Sequence, residues 1–492
     1  MSNTGQLLVP ALRADADGRL TAARDEALAA IALGVGGFVL YGGNEDAVRA
    51  FTKEIQQRSG TPLLVGADME RGAGQQFAGA TGLPPLAALA WLGDAEALRR
   101  AARLTAREAR TMGVNWDLAP VVDLEPTDDA AAVGTRSLGT DPAGVARLTG
   151  EWITACQAEG VLACAKHFPG HGRAPHEQVR SESGEPPVVR ADREALHASD
   201  LAPFRAAIDA GVASMMVAHA AYPALDPSGL PAPYSRELLT WLLRQQMRYD
   251  NVLVAHLPTV MRAPAGAADE GEAAVRALTA GCDVLLAPSD VRAVIDALER
   301  ALAEHRLDPQ RVHQSVRRRL KWAQWAAPPN EWRRPTASDT AWGAQLADRV
   351  VHAVRGALPA VPRDVDVLTL DVDDLAACTP RGRDAFADTL RTAGHQVRVV
   401  TEVAPGATPL VLALCPGSSA ERGDAAALAE LTASVAAACS DAARTGRSAA
   451  VVLFAHPRLA SVVPAEVPLV CAWSSDAAMQ RAAARWLVAR RG

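Results

Sequence analysis

The chain has 492 residues, of which 49% are hydrophobic and 22% charged, with a formal net charge of -6. That length allows two or more domains with sizeable cores. No run of Lys and Arg is long enough to point to nucleic acid or an anionic membrane surface as a partner. The opening "MSNTGQLLVPALRADADG" lacks a basic start and a long apolar core, and no uninterrupted apolar segment is long enough for a bilayer span. Seven cysteines are scattered without a Cys-x-x-Cys pair. They read as reduced thiols and, with the absent leader, suggest a cytoplasmic location. Cys164 and Cys282 lie in apolar contexts and are expected to be buried and inert.

Short apolar runs recur along the first three hundred residues: "LLVPAL" (7–12), "GFVLY" (37–41), "LLVGAD" (63–68), "VNWDLAPVVDL" (114–124), "LACAKHF" (162–168), "SMMVAHA" (214–220), "NVLVAH" (251–256) and "DVLLAP" (283–288). Several are continuous rather than alternating, as in strands covered on both faces. Amphipathic stretches such as "DAEALRRAARLTAREARTMG" separate them. Eight strand-helix units of this kind predict a (β/α)8 TIM barrel over residues 1–326, with a doubly wound sheet as the alternative. Asp68, Asp123, Lys166, His167, His219 and His256 all fall at the C-terminal ends of these runs. In a barrel those ends converge on the face that carries active sites. The plainer reading is that polarity rises wherever a loop begins.

Residues 327–346, rich in Pro and Trp, read as a linker. From 347 to 492 a second α/β pattern follows, with strands at 364–372, 395–401, 408–415, 449–455 and 467–473. It predicts a smaller three-layer sandwich. Without a Gly-x-Gly-x-x-Gly after its first strand, dinucleotide binding has no support, and no cofactor is expected.

The densest polar motif is "CAKHFPGHGRAPHEQ", Cys164 to Gln178. Lys166 and His167 are consecutive, so a regular strand would point them to opposite faces. A bend into the Phe-Pro-Gly turn would aim both at one ligand. Such donors suit a hydroxyl-rich molecule or a carboxylate. Metal is disfavoured: a Pro-Gly turn separates His167 from His171, and no His-Glu-x-x-His or carboxylate cluster accompanies them.

"AKHFPGHG" resembles the signature of glycoside hydrolase family 3, in its β-N-acetylglucosaminidase branch. "VGGFVLYGGN", "PLLVGADMERG", "MGVNWDLAPVVDL", "GTRSLGTDP", "MMVAHAAYPALDP" and "EAAVRALTAGCDVLLAP" follow in family order, over roughly residues 5–320. The resemblance implies a barrel followed by a small α/β domain, and a retaining mechanism. In that mechanism an Asp attacks the anomeric carbon and a loop His paired with an Asp protonates the leaving oxygen. It assigns sugar binding to Asp68, Arg136, Lys166 and His167, a set of carboxylate acceptor and fixed donors that fits a carbohydrate ligand. His219 is expected to line the site floor or to pack against the next strand. Asp123 is expected to fix loop geometry, and Arg71 to narrow the site or favour an acidic ligand.

Two catalytic positions depart from the family pattern. In "YDNVLVAHLPTVM", Tyr249 to Asn251 match the turn before the nucleophile strand, and His256 fills the nucleophile's place. Asp250 lies at the other end of that strand. The family's Asp-Ser-His loop motif reads Glu-Gln-Val at 177–179, leaving His176 and Glu177 as candidates for a displaced acid/base pair. Three functions follow: a hydrolase of β-linked amino sugars with a rewired site, a non-catalytic binder of a sugar or cell-wall fragment, or transfer to phosphate through His256.

Overall fold

The computed structural model describes residues 3–125, 133–175, 186–257, 269–326, 335–356, 361–371, 384–406, 408–416 and 424–489. The chain forms two compact units. One comprises residues 1–81, 95–126 and 138–336, and the other 82–94, 127–137 and 337–492.

The first unit is built on a nine-stranded parallel sheet: β1 (Leu8–Val9), β2 (Ala11–Arg13), β3 (Gly37–Tyr41), β4 (Leu64–Ala67), β5 (Trp116–Asp117), β6 (Leu162–Phe168), β7 (Ser214–Val217), β8 (Val252–His256) and β9 (Val284–Leu286). β1 pairs with β9 and β2 with β3, and only Pro10 divides β1 from β2. They act as one stave. Proline has no N–H for a ladder, so the stave changes partner there and joins the two ends of the sheet. The result is a closed barrel of eight staves with helices between them.

Each stave lies in one of the apolar runs. The fourth is short as a strand: beyond Asp117 its backbone stays beside β6 through single bonds, Cys164 N–H to Ala119 O at 2.8 Å and Val122 N–H to Lys166 O at 2.8 Å. Alternate residues face inward, and Leu64, Trp116, Leu162, Cys164, Val254 and Leu286 belong to one buried cluster filling the barrel. Trp322, from the helix Pro309–Trp325, packs against that cluster and donates Nε1–H to Asn251 Oδ1 at 3.1 Å, at the N-terminal end of β8. Asp283, just before β9, is fully buried among Arg244 (2.5 Å), Arg311 (2.8 Å) and Arg318 (3.2 Å). Burial alone would raise its pKa, but three guanidiniums hold it far below the carboxylate range and tie that end of the barrel to its helices.

The second unit carries a six-stranded sheet of β10 (His352–Arg355), β11 (Asp364–Asp371), β12 (Gln396–Val400), β13 (Leu410–Cys415), β14 (Ala449–Leu453) and β15 (Leu469–Cys471), in the order β10-β15-β14-β13-β11-β12. All pairs are parallel except β10 with β15. Val367, Val411, Val452 and Val470 pack on one face beneath helices Ala385–Thr392 and Ala477–Ala489. Leu368, Leu412, Leu453 and Leu469 pack on the other beneath Ala425–Arg444. This is a three-layer sandwich. Residues 337–346, read from sequence as linker, are helical: the helix Ala337–Val350 buries Leu346, and it buries Ala347 and Val350 in the first of these cores. Pro and Trp density masked its short apolar face.

All six described cysteines are free and buried. Burial pushes the Cys164 and Cys282 thiols up to about 12, so they are protonated at neutral pH. Among the described residues, no helix is long and apolar enough to cross a membrane.

Candidate functional site

Strand alternation fixes which side chains reach the mouth of the barrel. Leu64 and Leu162, and Val252 with Val254, point inward; an even number of residues further on along each strand, Asp68, Lys166 and His256 continue the same phase at the C-terminal ends of β4, β6 and β8. Gly66 keeps that phase beside Trp116, where a Cβ would meet the indole ring at 3.1 Å.

Lys166 and His167 escape the alternation problem through a bulge. Lys166 pairs with Met216 and Phe168 with Val217, so His167 has no partner in the ladder. The bulge lets successive side chains serve one region. Lys166 is 1% exposed and its ammonium lies 2.7 Å from both Asp68 Oδ1 and Glu70 Oε1. Glu70 is buried too, whereas 28% of the Asp68 side chain remains open. Lys166 therefore fixes a carboxylate that retains surface toward the mouth. Glu70 is the partner that sequence reading missed, because its role depends on a strand one hundred residues away.

Asp123 organises the neighbouring turn. It accepts from the His167 backbone amide at 3.1 Å and the His171 amide at 2.7 Å, and its Oδ2 lies 2.7 Å from His167 Nδ1. Burial works to raise its pKa, but the His167 ring and the His171 contacts outweigh it and bring it below the ordinary carboxylate value. The His167 imidazole is thus held by a fully buried carboxylate.

Beside it, the rings of His167 and His171 are 5.8 Å apart and those of His171 and His219 4.4 Å. Burial lowers the His219 pKa to about 4, with charge on His167 and His256 adding to the effect, so His219 is neutral near pH 7. Its Nε2 is buried without a hydrogen-bond partner. The structure thus gathers Asp68, Lys166, His167, His219 and His256 at one end of the barrel. Arg71 follows closely, its amide donating to Gln75 Oε1 at 2.9 Å. Arg136 is exposed on the 3₁₀ turn Gly134–Arg136, a segment of the second unit. His176 and Glu177 lie outside the described residues.

Asp117 was not anticipated as a special residue. It has the opposite phase to Trp116 and Leu118, which point inward. Its carboxyl is fully buried, neither oxygen finds a side-chain hydrogen-bond partner among the described residues, and the Met69 backbone amide is the one donor that favours its charged form. Burial pushes its pKa well up, Lys166 opposes this, and Asp68 and Glu70 add to it. The sequence signal was an acid in the middle of an apolar strand. Among the described residues, no group of three or more His, Cys, Asp or Glu is arranged to hold a metal ion.

Residues 2–321 match the model of the glycosyl hydrolase family 3 N-terminal domain. The chain belongs to glycosyl hydrolase family 3. Its relatives put it in the β-N-acetylglucosaminidase-like branch. It is 33% identical over 297 residues to a β-N-acetylglucosaminidase/β-glucosidase of Cellulomonas fimi, covering 58% of this chain and 52% of that protein. It is 36% identical over 262 residues to a β-hexosaminidase of Thiobacillus denitrificans, covering 51% of this chain and 71% of the relative. The chain thus spans about half the length of the first relative. A family 3 β-N-acetylglucosaminidase structure from Paenibacillus sp. str. FPU-7 superposes with a TM-score of 0.79 at 26% identity, covering 99% of this chain and 96% of that one. A β-glucoside phosphorylase structure, at 18% identity and a TM-score of 0.80 over 100% of this chain and 92% of that one, shares the fold.

Proposed function

We propose that this family 3 barrel binds the terminal residue of a β-linked N-acetylglucosaminide or a similar amino sugar, and that carboxylate-nucleophile hydrolysis is lost. The observation carrying the binding half is the Asp68–Lys166 pair: a buried ammonium holding a partly open carboxylate on the inward phase of two adjacent-region strands. Such a carboxylate can accept from neighbouring sugar hydroxyls. Family resemblance adds His167 as a further sugar-binding group.

The second half follows from His256. A neutral imidazole at the nucleophile position supplies no negative charge to an oxocarbenium-like transition state, and a protonated one opposes it. Each ~1.4 kcal/mol of lost stabilisation slows the reaction tenfold. Asp68 and Glu70 are paired with Lys166, and Asp123 is committed to His167 and His171.

The test combines binding and turnover. Isothermal titration with N-acetylglucosamine should give saturable binding that Asp68→Ala weakens at least tenfold. Release of nitrophenol from an aryl β-N-acetylglucosaminide should be at background in the native chain. A rewired hydrolase is the second reading, supported by His219, whose ring lies 4.4 Å from that of His171 beside the same strand ends. It predicts turnover that collapses in His256→Ala. Turnover that requires added phosphate would instead support glycosyl transfer to phosphate.

A further inference from the structure

Residues 82–94 belong to the second unit, and the helix Leu86–Leu92 buries Ala87 and Ala88 in the core that also holds Trp473. Gly93, in the left-handed region with a φ of 70°, ends that helix. Trp91 is left on its last turn with 49% of its surface exposed. One face of this indole is already occupied. The ring of His352, the first residue of β10, lies parallel to it, with centroids 4.1 Å and planes 15° apart. The exposed half of Trp91 is therefore the opposite face and its edge.

The stack is fixed from below. Trp473, two residues past β15, packs against both rings, 5.9 Å from Trp91 and 5.8 Å from His352, and His456 meets it edge-on at 5.7 Å. Trp473 Nε1–H and His352 Nδ1–H donate to the same carbonyl, that of Val350, at 2.9 and 3.0 Å. Trp473 is 2% exposed and holds a φ of 63°, a left-handed conformation that bulky side chains rarely adopt. The backbone thus carries strain where it sets this indole against the other two rings. Asp94, three residues after Trp91, and Arg349, three before His352, join in a half-exposed ion pair of 2.7 Å that gives the stack a polar flank. The open area, half of an indole, is roughly 100 Å². A stable protein interface needs about 800 Å² on each partner. A face of this size matches one sugar ring.

We propose that the open face of Trp91 is a second saccharide site, a stacking platform for one pyranose ring of a β-linked N-acetylglucosamine oligomer. The substituents of such a ring are equatorial, so its two faces present C–H groups. Those hydrogens complement the negative face of the indole. His352 Nδ1 is committed to Val350, which leaves Nε2, with the Asp94–Arg349 pair, to exchange hydrogen bonds with hydroxyls and the acetamide at the ring's edge. An aromatic stack fixed before the ligand arrives loses little side-chain entropy on binding. The choice of an amino sugar over other all-equatorial pyranoses rests on the reading of the barrel site.

The experiment uses the full chain carrying Asp68→Ala, which removes the barrel carboxylate and leaves the second unit untouched. Chitotetraose is titrated by calorimetry and, in parallel, by NMR of the indole N–H signals. Saturable binding is expected, with the Trp91 Nε1–H signal shifting along the titration. Trp91→Ala, at an exposed position where folding is not at risk, should weaken binding at least tenfold, and Trp91→Tyr should restore most of it. No saturable binding, or binding unchanged by Trp91→Ala, overturns the proposal. Self-association in sedimentation velocity that Trp91→Ala abolishes would also overturn it, by making the face a contact between copies of the chain. In a Trp91→Ala background, a failure of the barrel reading appears as N-acetylglucosamine binding unchanged by Asp68→Ala, so the two failures are distinguishable.

Discussion

Lys166→Met tests the physical basis of the barrel site most directly. The ammonium makes two ion pairs of 2.7 Å, to Asp68 and Glu70, while its own side chain is only 2% exposed. Methionine fills similar volume but leaves two carboxylates facing each other without a cation. Glu70, at 5% side-chain exposure, has almost no water to turn to; Asp68, at 28%, is partly screened. Removing one partner of a buried pair costs about 3–5 kcal/mol, and most of that should come from Glu70. The loss should be smaller in acid, because protonation removes the stranded charge. Urea unfolding followed by circular dichroism, from pH 8 down to about pH 5, reads both effects, with midpoint and slope fitted separately. A second substitution, Glu70→Gln on Lys166→Met, should return part of the lost stability. A cost under about 1 kcal/mol at pH 7, typical of exposed pairs, or a cost that does not change with pH, would refute the buried-triad account.

Asp117→Asn should stabilise the protein at neutral pH. The folded-state pKa of this buried carboxyl is raised above its unfolded value, so its contribution to stability is most favourable below about pH 4 and is lost as pH rises toward the folded pKa. Melting curves between pH 5 and 8 should therefore be flatter in the variant. Asp123→Asn should do the opposite: its folded pKa is lowered, so its stabilisation is present above the ordinary carboxylate pKa and lost as pH falls through the folded value. At pH 7 the variant should lose about 1.5–3 kcal/mol for weakened charged hydrogen bonds to His167 and His171, measured by urea unfolding. Arg71→Gly should shift ligand preference away from acidic sugars in competition titrations, if the cation at this position selects the ligand.

The architecture was largely legible because its signals are local. Continuous apolar runs such as "LLVGAD" and "LACAKHF" mark strands covered on both faces wherever they fall. β10 was missed: "HAVR" is short and half-exposed, and becomes a strand only by pairing with β15. The helix Ala337–Val350 was missed because its buried face, Leu346, Ala347 and Val350, is brief and follows a Pro-rich stretch. Pro10 gave no hint that one stave would change partners on either side of it, since that requires the barrel to close.

The same division holds at the site. Residue order alone placed Asp68, Lys166 and His256 at strand ends, and the two-residue period of a strand then decides that all three share the inward phase. Order alone also revealed a histidine where the family resemblance expects a carboxylate. What order left open was pairing. That Lys166 meets Glu70 as well as Asp68, that Asp123 braces His167, and that Asp117 is buried without a side-chain hydrogen-bond partner among the described residues are facts of strand neighbours and helix cover. A strand's periodicity is written in adjacent residues, but a charge finds its partner across the sheet, and only the closed barrel sets that distance.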